Sequence, residues 1–290
     1  MSKYKNWENF YQHEFDIRRV KLGQPITLHA WGDIHDFTEL HCEDTFTALC
    51  EKWSPEFAKG NHYALLLGDS TDSYRQTDQI RIESLRALGT DLTKLSDLAM
   101  YETEQLAKKL DFMKGCLLSA VSGNHGYILP HLNISLEEYL ARMLKGKYGG
   151  AVCMNIIRLH TYSGKHVDIQ ILTFHGRNAT MLIGSNLNEC ERASYKFPTA
   201  DVIVSGHAHQ LITAPVAKMM AKYGEPINQH ETHLIRIGSM LRNFVHGKGG
   251  YSTVGLLRPS VLRFPRIVIT LDQELKGTEK VVVPHIEIHS

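Results

Sequence analysis

The stretch Val202-Ile203-Val204-Ser205-Gly206-His207-Ala208-His209 decides how the chain is read. Its first half is apolar and β-branched, the composition of a buried strand, and it stops at a glycine. Its second half carries two imidazoles, one residue apart, into the loop beyond the strand. Histidines at i and i+2 in such a loop can reach two different ions, and imidazole is the commonest side-chain ligand of catalytic transition metals.

A single Gly-His-x-His is a weak signal, but the same punctuation recurs upstream. Ile26 to Gly32 runs into Asp33 and His35, and Ala64 to Gly68 runs into Asp69 and Asp72. Cys116 to Gly123 runs into Asn124 and His125, and Ile169 to Phe174 runs into His175 and Gly176. Each is an apolar run followed by residue types that ligate metals. Strand ends that all carry such residues are expected to converge on one site.

Composition bounds the alternatives. A chain of 290 residues with 43% hydrophobic content can bury a substantial core. We expect an N-terminal arm over 1–25 and a single domain over 26–290. With 32 Lys+Arg against 31 Asp+Glu the net charge is +1, so no strongly basic nucleic-acid surface is advertised. The five cysteines (Cys42, Cys50, Cys116, Cys153, Cys190) are an odd number without close pairs, which fits reduced thiols better than a disulfide framework. The first residues contain no apolar signal segment and no stretch reaches the length of a membrane span, so a cytoplasmic location away from membranes is expected.

Along the chain, Phe46, Leu49, Trp53 and Phe57 have helical spacing and predict a crossover between the first two strands. Leu92 to Met113 traces an amphipathic helix. The polar segment before it carries Arg75, Arg81 and Arg86, as a substrate contact or as a solvated helix face. Ser135 is a helix cap, with Glu137 and Glu138 placed to complement the dipole of a helix through Met143. Val152 to Leu159 and His166 to Phe174 predict a hairpin, Asn186 to Tyr195 a helix, and Pro215 to Tyr223 a further helix. Leu234 to Ile237 reads as a strand, and Ile267 to Leu271 with Val281 to Val283 as a closing antiparallel pair. Strands alternating first with helices and then with hairpins imply a mixed α/β fold.

In order, Asp33-x-His35, Gly68-Asp69-x-x-Asp72, Gly123-Asn124-His125, His175-Gly176 and Gly206-His207-x-His209 resemble the signature of the calcineurin-like metallophosphoesterase superfamily. The resemblance implies a four-layer α-β-β-α sandwich with a dinuclear metal site at the strand ends. Carried onto the matching positions, it implies that Asp33, His35, Asp69 and His209 hold one ion. Asp69, Asn124, His175 and His207 would hold the other, with Asp69 bridging. Mixed nitrogen and oxygen ligands suit two divalent transition-metal ions, manganese foremost, or iron, zinc or nickel. The activity implied is hydrolysis of a phosphate ester by attack of metal-bound hydroxide on phosphorus. His125 would be the catalytic proton donor to the leaving oxygen, and Asp72 would orient its imidazole.

Two positions depart from the family pattern. Gly126 follows His125 where an acidic residue is usual, and Ser73 follows Asp72 where the Ser/Thr protein phosphatases have an arginine. For the substrate, the segment from Arg242 through Lys248 to Tyr251 combines cations, glycines and aromatics. It could bind a phosphate and stack a base, or be a glycine-rich turn. The leading expectation is a phosphodiesterase or phosphatase for a small, nucleotide-like ester, with Arg242 and Lys248 as substrate contacts. The alternatives are a nuclease similar to the superfamily's DNA-repair exonucleases and a metal-binding scaffold with little catalysis.

Overall fold

A computed structural model describes residues 10–71, 93–124, 128–129, 132–177, 183–221, 226–242, 259–276 and 279–290. The strands form two six-stranded sheets and one small pair. The first sheet has the order β14 (Glu279–His289), β13 (Arg266–Lys276), β2 (Ile26–Trp31), β3 (His62–Leu66), β4 (Leu117–Ala120), β7 (Lys147–Tyr148). The second has the order β1 (Phe10–Val20), β8 (Val152–Thr161), β9 (His166–Phe174), β10 (Val202–Ser205), β12 (Asn228–Arg236), β11 (Ile212–Met220). The pair is β5 (Ile128–Leu129) with β6 (Ile134–Ser135).

Alternation along the strands builds the layers. In β10, Val202 and Val204 point into a core shared by both sheets, together with Leu28, Ala30, Leu65, Leu67, Ile235 and Ile267. Ile203, between them, faces the other way and packs with Leu172, Leu234 and Cys190 under helix α4 (Ile183–Lys196). β10 is therefore buried on both faces, which is why it reads as one continuous apolar run. On the other sheet, Trp31, Ala64, Leu66 and Ala120 face outward against α1 (Glu43–Phe57), α2 (Thr93–Lys109) and α3 (Leu136–Met143). The result is helix, sheet, sheet, helix. Each fully buried Val, Ile or Leu contributes roughly 1.5–3 kcal/mol, so a charge at Val204 would disrupt the layer that carries the loops beyond it.

Parallel pairing of β2 with β3, β3 with β4, β9 with β10 and β10 with β12 makes these strands end at one edge. Asp33, His35, Asp69, Asn124, His175, His207 and His209 all lie just past those ends. The predicted crossover helix is α1, the Leu92 to Met113 pattern is α2 followed by a 3₁₀ turn, and Ser135 caps α3 by accepting the Glu138 N–H at 3.1 Å.

Two readings need correction. Part of the segment expected to be an arm is strand β1, paired in parallel with β8 at a sheet edge. Its half-buried His13, Phe15 and Ile17 alternate with exposed Glu14, Asp16 and Arg18, a short period masked by the charges of an edge strand. The predicted helix from Pro215 is strand β11 as far as Met220, antiparallel to β12. Ala217, Lys218 and Met219 favour helices locally, but ladder pairing at an edge, where Pro215 is tolerated, decides the outcome. Tyr223 lies outside the described residues.

Candidate metal centre

Beyond the ends of β2 and β3 the two chains stay paired. The N–H of Asp33 donates to the Gly68 carbonyl at 2.9 Å, that of His35 to Asp69 at 3.0 Å and that of Asp36 to Ser70 at 3.1 Å. Side chains in this short ladder are turned toward the cleft by left-handed backbone at Asp33 (φ 48), His35 (φ 50) and Asp69 (φ 49). His207 (φ 71) and His209 (φ 54) repeat the device. Such conformations cost non-glycine residues of order 1 kcal/mol each and are retained where the surroundings dictate a side-chain direction.

Glycines let the loops approach. Gly68 has φ 83, and a Cβ on it would lie 2.5 Å from the Gly123 backbone; a Cβ on Gly123 would lie 1.9 Å from Asp69 Oδ1. The Gly68-Asp69 and Gly123-Asn124 loops are thus in direct backbone contact.

Two groups of candidate ligands result, Asp33 with His35 and His209, and Asp69 with His175 and His207. In the first, His35 Nε2 and His209 Nε2 are 3.2 Å apart and Asp33 Oδ1 is 3.4 Å from His209 Nε2. In the second, His175 Nε2 is 3.0 Å from Asp69 Oδ2, and Asn124 Oδ1 is 2.7 Å from His175 Nε2 and 2.8 Å from His207 Nδ1. Asp33 Oδ1 is also 4.0 Å from His175 Nε2, so the groups adjoin.

This donor set fits a pair of divalent ions. Among the described residues, Asp33 Oδ1 is buried without a hydrogen-bond donor, which is costly for a carboxylate unless a cation is there. Two nitrogens held at ~2.0–2.1 Å from one tetrahedral ion are roughly 3.3 Å apart, close to the His35–His209 spacing. His175 Nδ1–H donates to the Leu67 carbonyl at 2.7 Å, which directs Nε2 toward the cleft. Asp33 Oδ2 accepts the His207 backbone N–H at 2.8 Å, tying the two groups through one carboxylate.

The electrostatics agree. Burial alone would raise the Asp33 carboxyl, but His209 and then His175 hold it below the usual carboxylate range. Burial disfavours a charged His175, yet the Asp69 carboxylate overrides it and lifts the imidazole to about 9. His207 is depressed to about 4 by burial and by His175. Without ions, one histidine of the second group is held charged and its neighbour neutral.

His125, Asp72 and Lys248 lie outside the described residues, as do Gly126, Arg75, Arg81 and Arg86. Arg242 is exposed, and its Nε and Nη2 donate to the Cys42 sulfur at 3.1 and 2.9 Å. A third group, Asp36 with His41 and Glu43, already holds the Lys109 ammonium, 3.1 Å from Asp36 and 2.8 Å from Glu43.

Two residues at the site had no sequence signal of their own. Glu137, read from the sequence as complementing a helix dipole, is buried behind the Gly123 loop, and burial with Asp69 nearby raises it to about 7. Arg236, within the strand expected over Leu234 to Ile237, is 0% exposed. A long side chain's burial depends on what packs over it, and for Arg236 helix α4 supplies that cover.

No protein-family model and no curated protein matches the sequence. Among solved structures, vacuolar protein sorting 29 from Cryptosporidium parvum is similar over 91% of this chain and 98% of its own, at 13% identity and a TM-score of 0.37. The calcineurin-like phosphoesterase YfkN from Bacillus subtilis is similar over 92% and 90%, at 12% identity and a TM-score of 0.35. A predicted phosphoesterase from Streptococcus pneumoniae is similar over 90% and 99%, at 10% identity and a TM-score of 0.35. Such weak likenesses add nothing to what the chain's own residues display. Two six-stranded sheets between helices, with two groups of candidate carboxylate and imidazole ligands at one edge, give this chain a mixed α/β fold consistent with the calcineurin-like one that its motifs imply.

Proposed function

We propose that the protein is a metal-dependent phosphoric ester hydrolase acting on a small, nucleotide-like ester. The observation that supports this best is the adjacency of the two ligand groups, with Asp33 Oδ1 within 4.0 Å of imidazoles from both. Two divalent ions, when bound, supply charge neutralisation at the phosphoryl oxygens and a water that ionises near neutral pH. Asp33, His35 and His209 would hold one, and Asp69, Asn124, His175 and His207 the other, with Asp69 facing both.

The remaining work falls to the chain. Hydrolysis adds water across a phosphorus–oxygen bond, and the leaving oxygen must take up a proton. We assign that proton to His125, adjacent to Asn124 in sequence, with Asp72 orienting the ring. Ligand loops tied by backbone hydrogen bonds keep the site open without reorganisation, the condition for electrostatic stabilisation of developing charge.

The preference for a small substrate is supported by the net charge of +1. The test is a screen of manganese-loaded protein against phosphomonoesters, phosphodiesters, cyclic nucleotides and DNA, with binding of a short single strand and a duplex measured at two salt concentrations. Turnover of a nucleotide-sized ester with weak salt dependence is expected. Tight DNA binding with a log–log salt slope of roughly −0.7 to −0.9 per phosphate contacted would move the assignment to a nuclease. No turnover of any ester by fully loaded protein would leave a metal-binding scaffold.

A further inference from the structure

Arg236 closes β12 beside Ser205 of β10, at the foot of the Gly206-His207 loop. It is 0% exposed, and a buried guanidinium is costly unless its donors are used. They are used on two separate segments, helix α4 and the Gly206 loop. Nε donates to the Asn186 carbonyl of α4 at 2.7 Å, Nη1 donates to the Gly206 carbonyl, and Nη2 meets Glu189 Oε2 at 3.0 Å. The same Glu189 oxygen accepts the Arg177 N–H at 3.2 Å, just past His175 and Gly176.

Gly176 shows how close the His175 loop runs to this pair. Its φ is 95, and a Cβ there would lie 2.8 Å from Arg236 Nη1 and 3.0 Å from Glu189 Oε2. On the opposite side, a Cβ on Gly206 would lie 3.1 Å from His175 Nδ1. The Arg236–Glu189 pair therefore sits between the loop that carries His175 and the loop that carries His207. Both imidazoles belong to the Asp69 group.

We propose that Arg236, with Glu189, is a positioning residue that sets His175 and His207 at the spacing their shared ion requires. This rests on the metal-site reading above. The chemistry explains the residue type. Apolar side chains of similar volume would stabilise a core at least as well as a buried ion pair, so stability does not by itself call for arginine here. A planar fork with several fixed donors can hold three acceptors on α4 and the Gly206 loop at set angles, and reach the His175 loop through Glu189, whereas lysine offers one compact ammonium. Two of the three residues of the first group, Asp33 and His35, are tied differently, through their ladder with Gly68 and Asp69. The two groups should therefore respond differently to loss of the fork.

The test is titration of metal-free protein with Co²⁺, followed by visible absorbance, in two backgrounds. His35→Ala leaves the Asp69 group complete, and His207→Ala leaves the Asp33 group complete. Arg236→Lys should weaken Co²⁺ binding on the order of 10–100-fold in the first background and shift its absorption bands. In the second background affinity should change by less than about threefold. Glu189→Gln, which keeps the shape and an acceptor, should give a smaller loss in the same direction, and it preserves the test if Arg236→Lys folds poorly. Melting of the metal-free proteins reports that separately. Equal losses in both backgrounds, or wild-type affinity and spectrum in the first, would overturn the positioning role while leaving the metal reading intact. Failure of the wild-type chain to bind Co²⁺ at all would sink both.

Discussion

His35 Nε2 and His209 Nε2 stand 3.2 Å apart although 174 residues separate them in the chain. Each follows a different sheet's buried strand, β2 or β10, and each is turned inward by left-handed backbone. The meeting of two sheets at one edge is thus what makes the ligand pair.

Metal content follows from this arrangement. Wild-type protein prepared without chelators should carry two equivalents of divalent transition metal. His35→Ala and His207→Ala should each remove one. Asp69→Asn should lower both, if its carboxylate faces both ions as we propose. Elemental analysis decides, and loss of only one equivalent in Asp69→Asn would rule out the bridge.

Metal binding should release protons. His175 sits near 9 without ions because Asp69 stabilises its charged form, so at pH 7–8 an incoming ion displaces the Nε2 proton. Apparent affinity should rise with pH, by up to about tenfold per unit for that one proton, and level off above about 9. Calorimetry in two buffers of different ionisation enthalpy measures the proton count; no buffer dependence would contradict it.

Catalysis should separate from metal loading at His125. His125→Ala should lower kcat on the order of 10²–10⁴-fold with metal content unchanged, the range for loss of a general acid. Asp72→Asn should give a smaller loss. An innocuous Asp72→Asn beside a severe His125→Ala would remove Asp72 from the proposed pair.

Acid stability should depend on His29, within strand β2. Its ring is fully buried against Trp53 and Phe57, and Nε2 lies 2.9 Å from His62 Nδ1. Burial, then His62, depresses it from 6.5 to about 3. The unfolded chain takes up this proton near pH 6.5 while the folded one resists it. Stability is therefore retained above pH 6.5 and falls as pH drops toward about 3, by up to about 1.4 kcal/mol per pH unit from this group. His29→Phe should flatten the pH dependence of urea midpoints in that window; an unchanged slope would exclude His29 as its source.

Arg242 offers a choice between two roles. A substrate contact would raise KM at constant Tm, whereas a tether on the Cys42 sulfur at the start of α1 would lower Tm at constant KM. The hydrogen bonds to sulfur predict the second outcome for Arg242→Ala.

The apolar runs at residues 64–67 and 202–205 read as buried strands, because a strand covered on both faces dispenses with polar alternation. The residue types that follow the strands marked candidate ligands, because few sets besides Asp, His and Asn suit a mixed nitrogen and oxygen site. Strand β11 was not legible, since its helix-favouring residues are overruled by pairing with β12, a partner that local propensity does not register. Nor was the part played by Arg236 or Glu137: both are charged residues on otherwise ordinary elements, and their burial comes from distant segments folding over them. The sequence by itself determined which chemical groups stand at the strand ends, since strand periodicity and ligand type are local properties. Only the tertiary structure decided which of them face one another and which buried charges hold them there, because parallel pairing and layer packing join residues that the chain keeps far apart.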